Sequence, residues 1–272
     1  MIDMLFQPFI LCIGLVFIHV YFGTFVLKRG ILFIDLALAQ WAALGYLVGA
    51  AIGIETPWLL FMMGFFFTSI AGLILTIIKP IFSQINYQEA VIGIIYIFAS
   101  AVAVALLTMT GLEGHHWHDM MSGYLLLIQP AQVMTALLLY AGVGFVMIIK
   151  RAYLTQSKSL VADWLFYSLF GLVVTSSVKL VGVLLVFSFL VLPVMSVVLF
   201  TSSIYKQVLY GWGLGLCGAL VGLVGSIYLD VSPSISIMLG LCIAWVLAII
   251  GYGVSRRMGW GQRSSSLIQD QS

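Results

Sequence analysis

The sequence predicts an all-α integral membrane protein, a bundle of about eight or nine transmembrane helices with an importer permease architecture. Hydrophobic residues make up 63% of the 272 positions and charged residues only 7%, and the mean hydropathy is +1.19. A soluble domain carries about 25% charged residues, so this composition belongs in a bilayer. The apolar runs are predicted to be helices rather than barrel strands. Only α-helices and closed β-barrels satisfy all their backbone hydrogen bonds in lipid, and these runs lack the alternation typical of strands.

A spanning helix needs about 20 apolar residues, and this length divides the chain into nine candidate segments. They run over 5–27, 31–54, 57–78, 89–110, 126–149, 160–178, 180–200, 208–229 and 234–254. Polar, turn-forming residues separate them, for example Lys28-Arg29-Gly30 and Lys79-Pro80. Eight spans are also compatible with the sequence, since a segment can be re-entrant.

The transmembrane domain is predicted over 1–255, followed by a polar cytoplasmic tail over 256–272. The chain begins with an acidic rather than a basic region, and its first apolar run is long enough to span. We therefore expect a first helix and not a removable signal peptide. The three cysteines lie in separate apolar segments and indicate neither a metal cluster nor a disulfide framework. The net charge of +2 is too small to suggest nucleic acid.

Orientation follows from the cations, nearly all of which fall on one side if nine segments cross. They are Lys28, Arg29, Lys79, Lys150, Arg151, Lys158, Lys206, Arg256 and Arg257. The positive-inside rule assigns this side to the cytoplasm, with the N-terminus outside and the C-terminus inside. Lys179 is the exception: it either snorkels at the outer junction of two segments or lies in a broken hairpin.

Asp35 is a carboxylate inside the otherwise apolar stretch "ILFIDLALAQWAALGYLVG" of residues 31–49. A charge at membrane depth costs several kcal/mol unless it is paired or faces a wet cavity. Two interpretations remain. Asp35 either caps the second helix and pairs with Arg29, or it faces a substrate pathway.

Three stretches resemble the ABC-3 family of permeases, the membrane subunits of bacterial zinc, manganese and iron importers. They are "LKRGILFIDLALAQWAALG" (27–45), "YQEAVIGIIYIFASAVAVAL" (87–106) and "VKLVGVLLVFSFLVLPVMSVVLF" (178–200). The resemblance implies a permease in the bacterial inner membrane, working with a cytoplasmic ABC ATPase, an extracytoplasmic substrate-binding protein and a second permease subunit, as a homodimer. It implies no permanent cofactor, only a transported divalent metal (Zn, Mn or Fe) and ATP on the partner. The sequence contains no G-x-x-x-x-G-K-[ST] stretch of its own.

The resemblance also identifies a departure at the expected metal site. Family members with metal sites place a His four residues after this Asp, whereas this chain has Ala39 followed by Gln40. If the first two helices form a hairpin turning near Arg29, His19 falls at the depth of Ala39, within roughly 6 Å of Asp35 along the membrane normal. We therefore predict that His19 supplies the imidazole and that Asp35, His19 and Gln40 line the pathway. The alternative is a lone His hydrogen-bonded inside the bundle or facing lipid.

The outer loop "GLEGHHWHDMMSG" is a second candidate site. Within seven residues it gathers Glu113, His115, His116, His118 and Asp119. In a helix, His115 and Asp119 share a face at i, i+4, a spacing that suits one metal ion. The loop either contacts metal, which favours zinc, or forms a solvated docking surface for the binding protein.

Two further features predict helix packing and energy coupling. Glycines at intervals of four and three line one helix face, either against a second subunit or within the chain: Gly211, Gly215, Gly218, Gly222 and Gly225. The polar inner loop "KRAYLTQSKS" (150–159) is predicted to contact the ATPase, with 79–88 as a second contact. Its candidate coupling residues are Lys150, Arg151, Thr155, Gln156 and Lys158.

The function predicted is import of a divalent transition metal, zinc before manganese or iron. A permease for a metal chelate and an ion-coupled secondary transporter with Asp35 as its proton or sodium site are the alternatives. A membrane sensor or scaffold would need no pathway. An enzyme is disfavoured, since the sequence has no Ser/His/Asp, H-E-x-x-H or paired-carboxylate arrangement.

Overall fold

A computed structural model describes residues 2–83, 87–110, 125, 128–156 and 159–257, and within these ranges it contains helices and no strand. The helices are α1 Ile2–Arg29, α2 Ile34–Ala51, α3 Pro57–Ser83, α4 Gln88–Thr110, α5 Pro130–Ile149, α6 Arg151–Gln156, α7 Leu160–Val181, α8 Val183–Val198, α9 Ile204–Leu229 and α10 Pro233–Arg257. The predicted tail begins inside α10, and residues 258–272 lie outside the described ranges. The domain boundary at 255 stays a prediction.

Eight of the described helices are long and apolar enough to cross a membrane. The remaining predicted segment, 180–200, the seventh in chain order, corresponds to α8, which has 16 residues. At about 1.5 Å per residue this helix is roughly 24 Å long, short of the ~30 Å hydrocarbon core. The predicted helical membrane bundle is therefore confirmed, with eight full-length candidate spans and one shorter apolar helix, α8, among the described residues.

Glycine ends two of the helices by the same mechanism. Gly30, with φ of 64°, follows α1, and Gly53, with φ of 82°, follows α2. In each case two backbone N–H groups bond back to carbonyls of the last turn, as Ile31 N does to Val26 O. This Schellman arrangement requires a left-handed residue, which glycine adopts without steric cost. Gly182, with φ of 83°, likewise separates α7 from α8.

The first two helices form the interior of the bundle. About 72% of the apolar stretch of α1 and of α2 is buried, against 22% for α10. Helix α1 packs on α5, α8 and α9, whereas α2 packs on α3, α4 and α7. The two inner helices thus belong to two groups of neighbours, and α7 joins them because it contacts α2, α3, α5 and α8.

The predicted break at Lys79-Pro80 is wrong, because α3 continues through both residues to Ser83. The charge of Lys79 does not end the helix, since its ammonium donates a hydrogen bond to the Asp163 carboxylate. Pro80 lies in the last turn of α3, where the loss of one backbone donor affects only the end of the helix.

The glycine stripe of α9 packs against helices of this same chain. A Cβ on Gly211 or on Gly215 would come within 2.7 Å of Val20 or Val16 of α1, respectively. The other three glycines of the stripe, Gly218, Gly222 and Gly225, face Leu241, Ile237 and Ser236 of α10. Small residues let helix backbones approach closely in lipid, so the stripe holds α9 between α1 and α10.

A substitution at Gly45 tests the close packing of α2 on α3. A Cβ on Gly45 would lie 2.5 Å from the Met63 carbonyl oxygen and 2.8 Å from Gly64 Cα, whereas a Cβ on Gly93 of α4 meets nothing within 4 Å. We expect Gly45→Val to destabilise the purified protein by about 2–3 kcal/mol, because the two backbones must separate. Gly93→Val is the matched control and should change the thermal unfolding midpoint little. Equal midpoints for the two variants would contradict this packing.

Candidate functional site

Asp35 lies in the first turn of α2 and is fully buried. Neither of its carboxylate oxygens has a hydrogen-bond partner among the described residues. A buried polar group left without a partner costs about 1–3 kcal/mol, and more when it is charged. The Asp35 carboxylate is thus a buried polar group whose hydrogen-bonding capacity the described residues leave unused.

Glu89 of α4 caps the start of α2. Its carboxylate accepts a hydrogen bond from Leu32 N at 2.5 Å and one from Phe33 N at 3.4 Å. Phe33 is the N-cap residue of α2 and provides no side-chain cap of its own. Glu89 therefore satisfies backbone donors just before α2, and Asp35 is free of that task.

His19 is the second buried group with an unpartnered atom. Its Nδ1 lies 2.9 Å from the Leu15 carbonyl oxygen, and its Nε2 has no partner among the described residues. A carbonyl can only accept, so Nδ1 carries the proton and Nε2 of a neutral ring keeps its lone pair. This is the arrangement found in metal-binding histidines, whose other nitrogen donates to a carbonyl or carboxylate.

The rings of His19 and Tyr140 form an edge contact, with centroids 6.4 Å apart. The Tyr140 hydroxyl and the Ser177 hydroxyl lie 3.0 Å apart, which joins α5 to α7 beside the imidazole. His19 is therefore buried within the bundle at the contact of α1 with α5, and it does not face lipid.

The pairing of His19 with Asp35 stays a prediction. The two side chains do not hydrogen-bond to each other, and their helices have different main packing partners. No group of three or more His, Cys, Asp or Glu side chains is gathered within the described ranges. Any metal bound here would need water or substrate-side ligands beyond these two.

Helix α2 carries most of the remaining unpartnered polar atoms. Gln40 Oε1 and the Tyr46 hydroxyl are both buried without a hydrogen bond in the described part of the chain. Tyr46 is eleven residues after Asp35, which is three helical turns, so the two lie on one face together with Ala39. Lys179 Nζ lies 5.6 Å from the centroid of the Tyr46 ring. A line of polar groups thus follows α2 from Asp35 towards its other end.

Asp163 of α7 is paired, in contrast to Asp35. Arg29 donates to its Oδ1 at 2.9 Å and Lys79 to its Oδ2 at 2.5 Å. The interpretation in which Arg29 pairs with Asp35 is therefore wrong, because Asp163 takes the guanidinium. Sequence analysis predicted 160–178 as a candidate span and did not single out Asp163 within it. The available signal was its place near the start of that segment, on the side where Arg29 and Lys79 also lie.

Arg29 also connects the short helix α6 to the bundle. Its guanidinium donates a second hydrogen bond to the Leu154 carbonyl at 2.5 Å and lies 4.0 Å from the centroid of the Phe166 ring. Leu154 is fully buried. The loop predicted over 150–159 thus contains a helix, Arg151–Gln156, fixed to the ends of α1 and α7.

Several predicted residues fall outside this description. The outer cluster Glu113, His115, His116, His118 and Asp119 and the coupling residue Lys158 lie outside the described residues. Lys150 and Arg151 are exposed, and Thr155 and Gln156 belong to α6. Their predicted roles stay predictions.

The family model described as the ABC 3 transport family matches residues 1–252, and this chain belongs to that family. The chain is therefore a multi-pass permease subunit of an ATP-binding-cassette importer. The resemblance seen in the three sequence stretches is confirmed.

Two solved structures share the fold. PsaBC from Streptococcus pneumoniae, in complex with Fab, matches with a TM-score of 0.71 and 19% identity, over 90% of this chain and 90% of that chain. An inward-facing conformation of a candidate metal-chelate type ABC transporter matches with a TM-score of 0.62 and 16% identity, over 90% of this chain and 84% of that chain. No curated protein matches the chain.

Removing the Asp163 carboxylate tests its pairing with the two cations. Asp163→Asn leaves Arg29 and Lys79 without their anion, and we expect a loss of about 2 kcal/mol in stability, since both cations are partly exposed. Asp230→Asn is the control, because Asp230 is exposed and asparagine tolerates its left-handed φ of 52°. Thermal unfolding of the purified variants measures both. An Asp163→Asn protein as stable as the Asp230→Asn protein would contradict the role of this cluster.

Proposed function

We propose that this permease imports a divalent transition metal ion, zinc before manganese or iron, and that the ion passes Asp35 and His19. The unpartnered Asp35 carboxylate carries the proposal. Carboxylate oxygen and imidazole nitrogen are both ligands of Zn²⁺, and the free Nε2 of His19 is in the required state. Tyr46 would extend the polar line along α2, whereas Gln40, five residues after Asp35, lies on a different face of this helix.

Two protein ligands suit a transported ion better than a complete cage. An ion that is carried across must be bound strongly enough to enter and weakly enough to leave. Asp35 and His19 with exchangeable waters would meet both requirements, whereas a closed four-ligand site would hold zinc as a structural ion.

The proposed cycle is alternating access. A substrate-binding protein delivers the ion to the outer face, where the histidine-rich loop of residues 113–119 accepts it or docks the carrier. A cytoplasmic ABC ATPase acts on α6 and on residues 79–88. Two copies of the permease pair as a homodimer. The bonds of Arg29 to Leu154 and Asp163 offer a route from α6 to α1 and α7. The cation-rich end of the bundle is the cytoplasmic one in this proposal.

A metal chelate is the second candidate substrate, and Ala39 favours it. The family's imidazole is absent from α2 at this position, where a buried methyl group stands instead. A chelate brings its own ligands and needs a polar path rather than a coordination site. Membership of an ABC family argues against the ion-coupled secondary transporter, because ATP hydrolysis then drives transport.

The carboxylate is tested by metal accumulation in starved cells with zinc, manganese and iron quantified together. We expect loss of one metal on deletion, restored by the wild type but reduced at least about tenfold with Asp35→Asn, which keeps the volume and removes the charge. Glu55→Gln is the matched control, since Glu55 is an exposed carboxylate between α2 and α3. Normal accumulation with Asp35→Asn at equal membrane abundance would refute the pathway role. Unchanged free metals on deletion would point to a chelate.

The shared site is tested by combining His19→Ala with Asp35→Asn. Two ligands of one ion give non-additive losses, so the double variant should transport about as poorly as the worse single variant. Val20→Ala, at the next buried position of α1, controls for packing changes at this depth. If the transport losses of the two single variants multiply in the double variant, His19 and Asp35 do not bind the same ion. Full transport by the His19→Ala protein would also show that His19 does not bind the ion.

A further inference from the structure

A large groove opens between α1, α5 and α9, away from the polar line of α2. Its volume is about 890 Å³, and apolar side chains form most of its wall, among them Phe17, Leu137, Phe145 and Leu209. Gly144 deepens it, because a Cβ added there meets only Ile18 Cδ1, at 3.7 Å. We call this feature the α1–α5–α9 groove.

One end of the groove is polar and cationic. Arg151 lines it there, with Tyr21 and Tyr205. Arg151 is the first residue of α6, separated from the end of α5 by Lys150, and it is exposed. Its guanidinium lies 5.9 Å from the centroid of the Phe25 ring. Arg29 lies at the same end of the bundle, because it is one helical turn after Phe25 on α1. An apolar groove with a cation at the membrane-surface end matches an amphiphile that carries a negative head.

We propose that the α1–α5–α9 groove binds one anionic phospholipid, with acyl chain along Phe17 and Leu209 and phosphate at Arg151. Basic pockets between transmembrane helices on the cytoplasmic side are suited to anionic headgroups. The acyl chains alone give little preference for one phospholipid over another, because the tails of all bilayer lipids are as apolar as the groove. Arg151 therefore determines which lipid binds, and the recess at Gly144 determines whether its chain fits.

A second copy of this chain is a poorer occupant of the same groove. A two-fold interface brings the same patch of both copies together, so the cationic ends of the two grooves would contribute like charges. A lipid phosphate supplies the complementary charge instead. The proposal is independent of which substrate the permease carries.

The recess is tested by native mass spectrometry of the purified intact transporter with phosphatidylglycerol and phosphatidylcholine of identical chains. The wild type should retain phosphatidylglycerol preferentially. Gly144→Leu should reduce total lipid retention about tenfold by filling the groove. Gly142→Leu is the matched control, since Gly142 lies on the same helix outside the groove and its added Cβ meets nothing within 4 Å. Equal retention by the two leucine variants would overturn the proposal.

The headgroup contact is tested separately with Arg151→Gln. Loss of one cation near the surface should lower the preference for phosphatidylglycerol over phosphatidylcholine about fivefold and leave total retention nearly unchanged. Lys150→Gln is the control, because it removes a neighbouring exposed charge that does not line the groove. An unchanged preference would overturn the proposal. Displacement of the lipid by excess inorganic phosphate would overturn the proposal in favour of free phosphate. A disulfide between two copies of a Phe145→Cys variant would overturn it in favour of a second copy.

Discussion

A bilayer offers no hydrogen-bond partner to a polar group, and this constraint separates the buried carboxylates of the chain into two kinds. Asp163 is satisfied by Arg29 and Lys79, and it joins the ends of α1 and α3 to the start of α7. Asp35 is equally deep in the protein and has no partner in the described part of the chain. The first is explained by structure alone, because it neutralises two cations. The second is not, and a buried acid without a partner is kept in a membrane protein at a cost that function has to justify.

The fold could be predicted because hydropathy and helix length respond to the same bilayer thickness. Segment positions follow from apolar runs, although the junction predicted at residue 179 lies three residues later, at Gly182. The failures have one physical origin, which is pairing between distant residues. Lys79 looked like the end of a helix because its partner Asp163 is 84 residues away, and Arg29 looked like the partner of Asp35 because the two are close in sequence.

The candidate site was predictable to the same extent. A carboxylate in an apolar run identifies Asp35 from sequence alone, and a lone membrane histidine identifies His19. The state of the His19 nitrogens was not predictable, because it depends on the Leu15 carbonyl within the folded helix. The capping of α2 by Glu89 was also hidden, since it joins residues 57 positions apart. That contact gives the acid of the second family-like stretch a role in this chain, because Glu89 closes the start of the helix that carries Asp35.

Helix α1 is where the proposed ion path and the proposed lipid site meet. The rings of His19 and Tyr140 make an edge contact, and Tyr140 also lines the α1–α5–α9 groove. Ile18, the residue next to His19, lines the groove as well. A lipid chain in the groove would therefore pack against the ring that positions the imidazole, and an empty groove would leave that side of Tyr140 unsupported. Because the Tyr140 hydroxyl is tied to Ser177 of α7, and α7 carries Asp163 in its first turn, the same rigid helix connects the imidazole to the paired cations near α6. Helix α7 is therefore common to the two proposals. It bonds to Tyr140, which contacts both His19 and the groove, and it carries the paired carboxylate of Asp163.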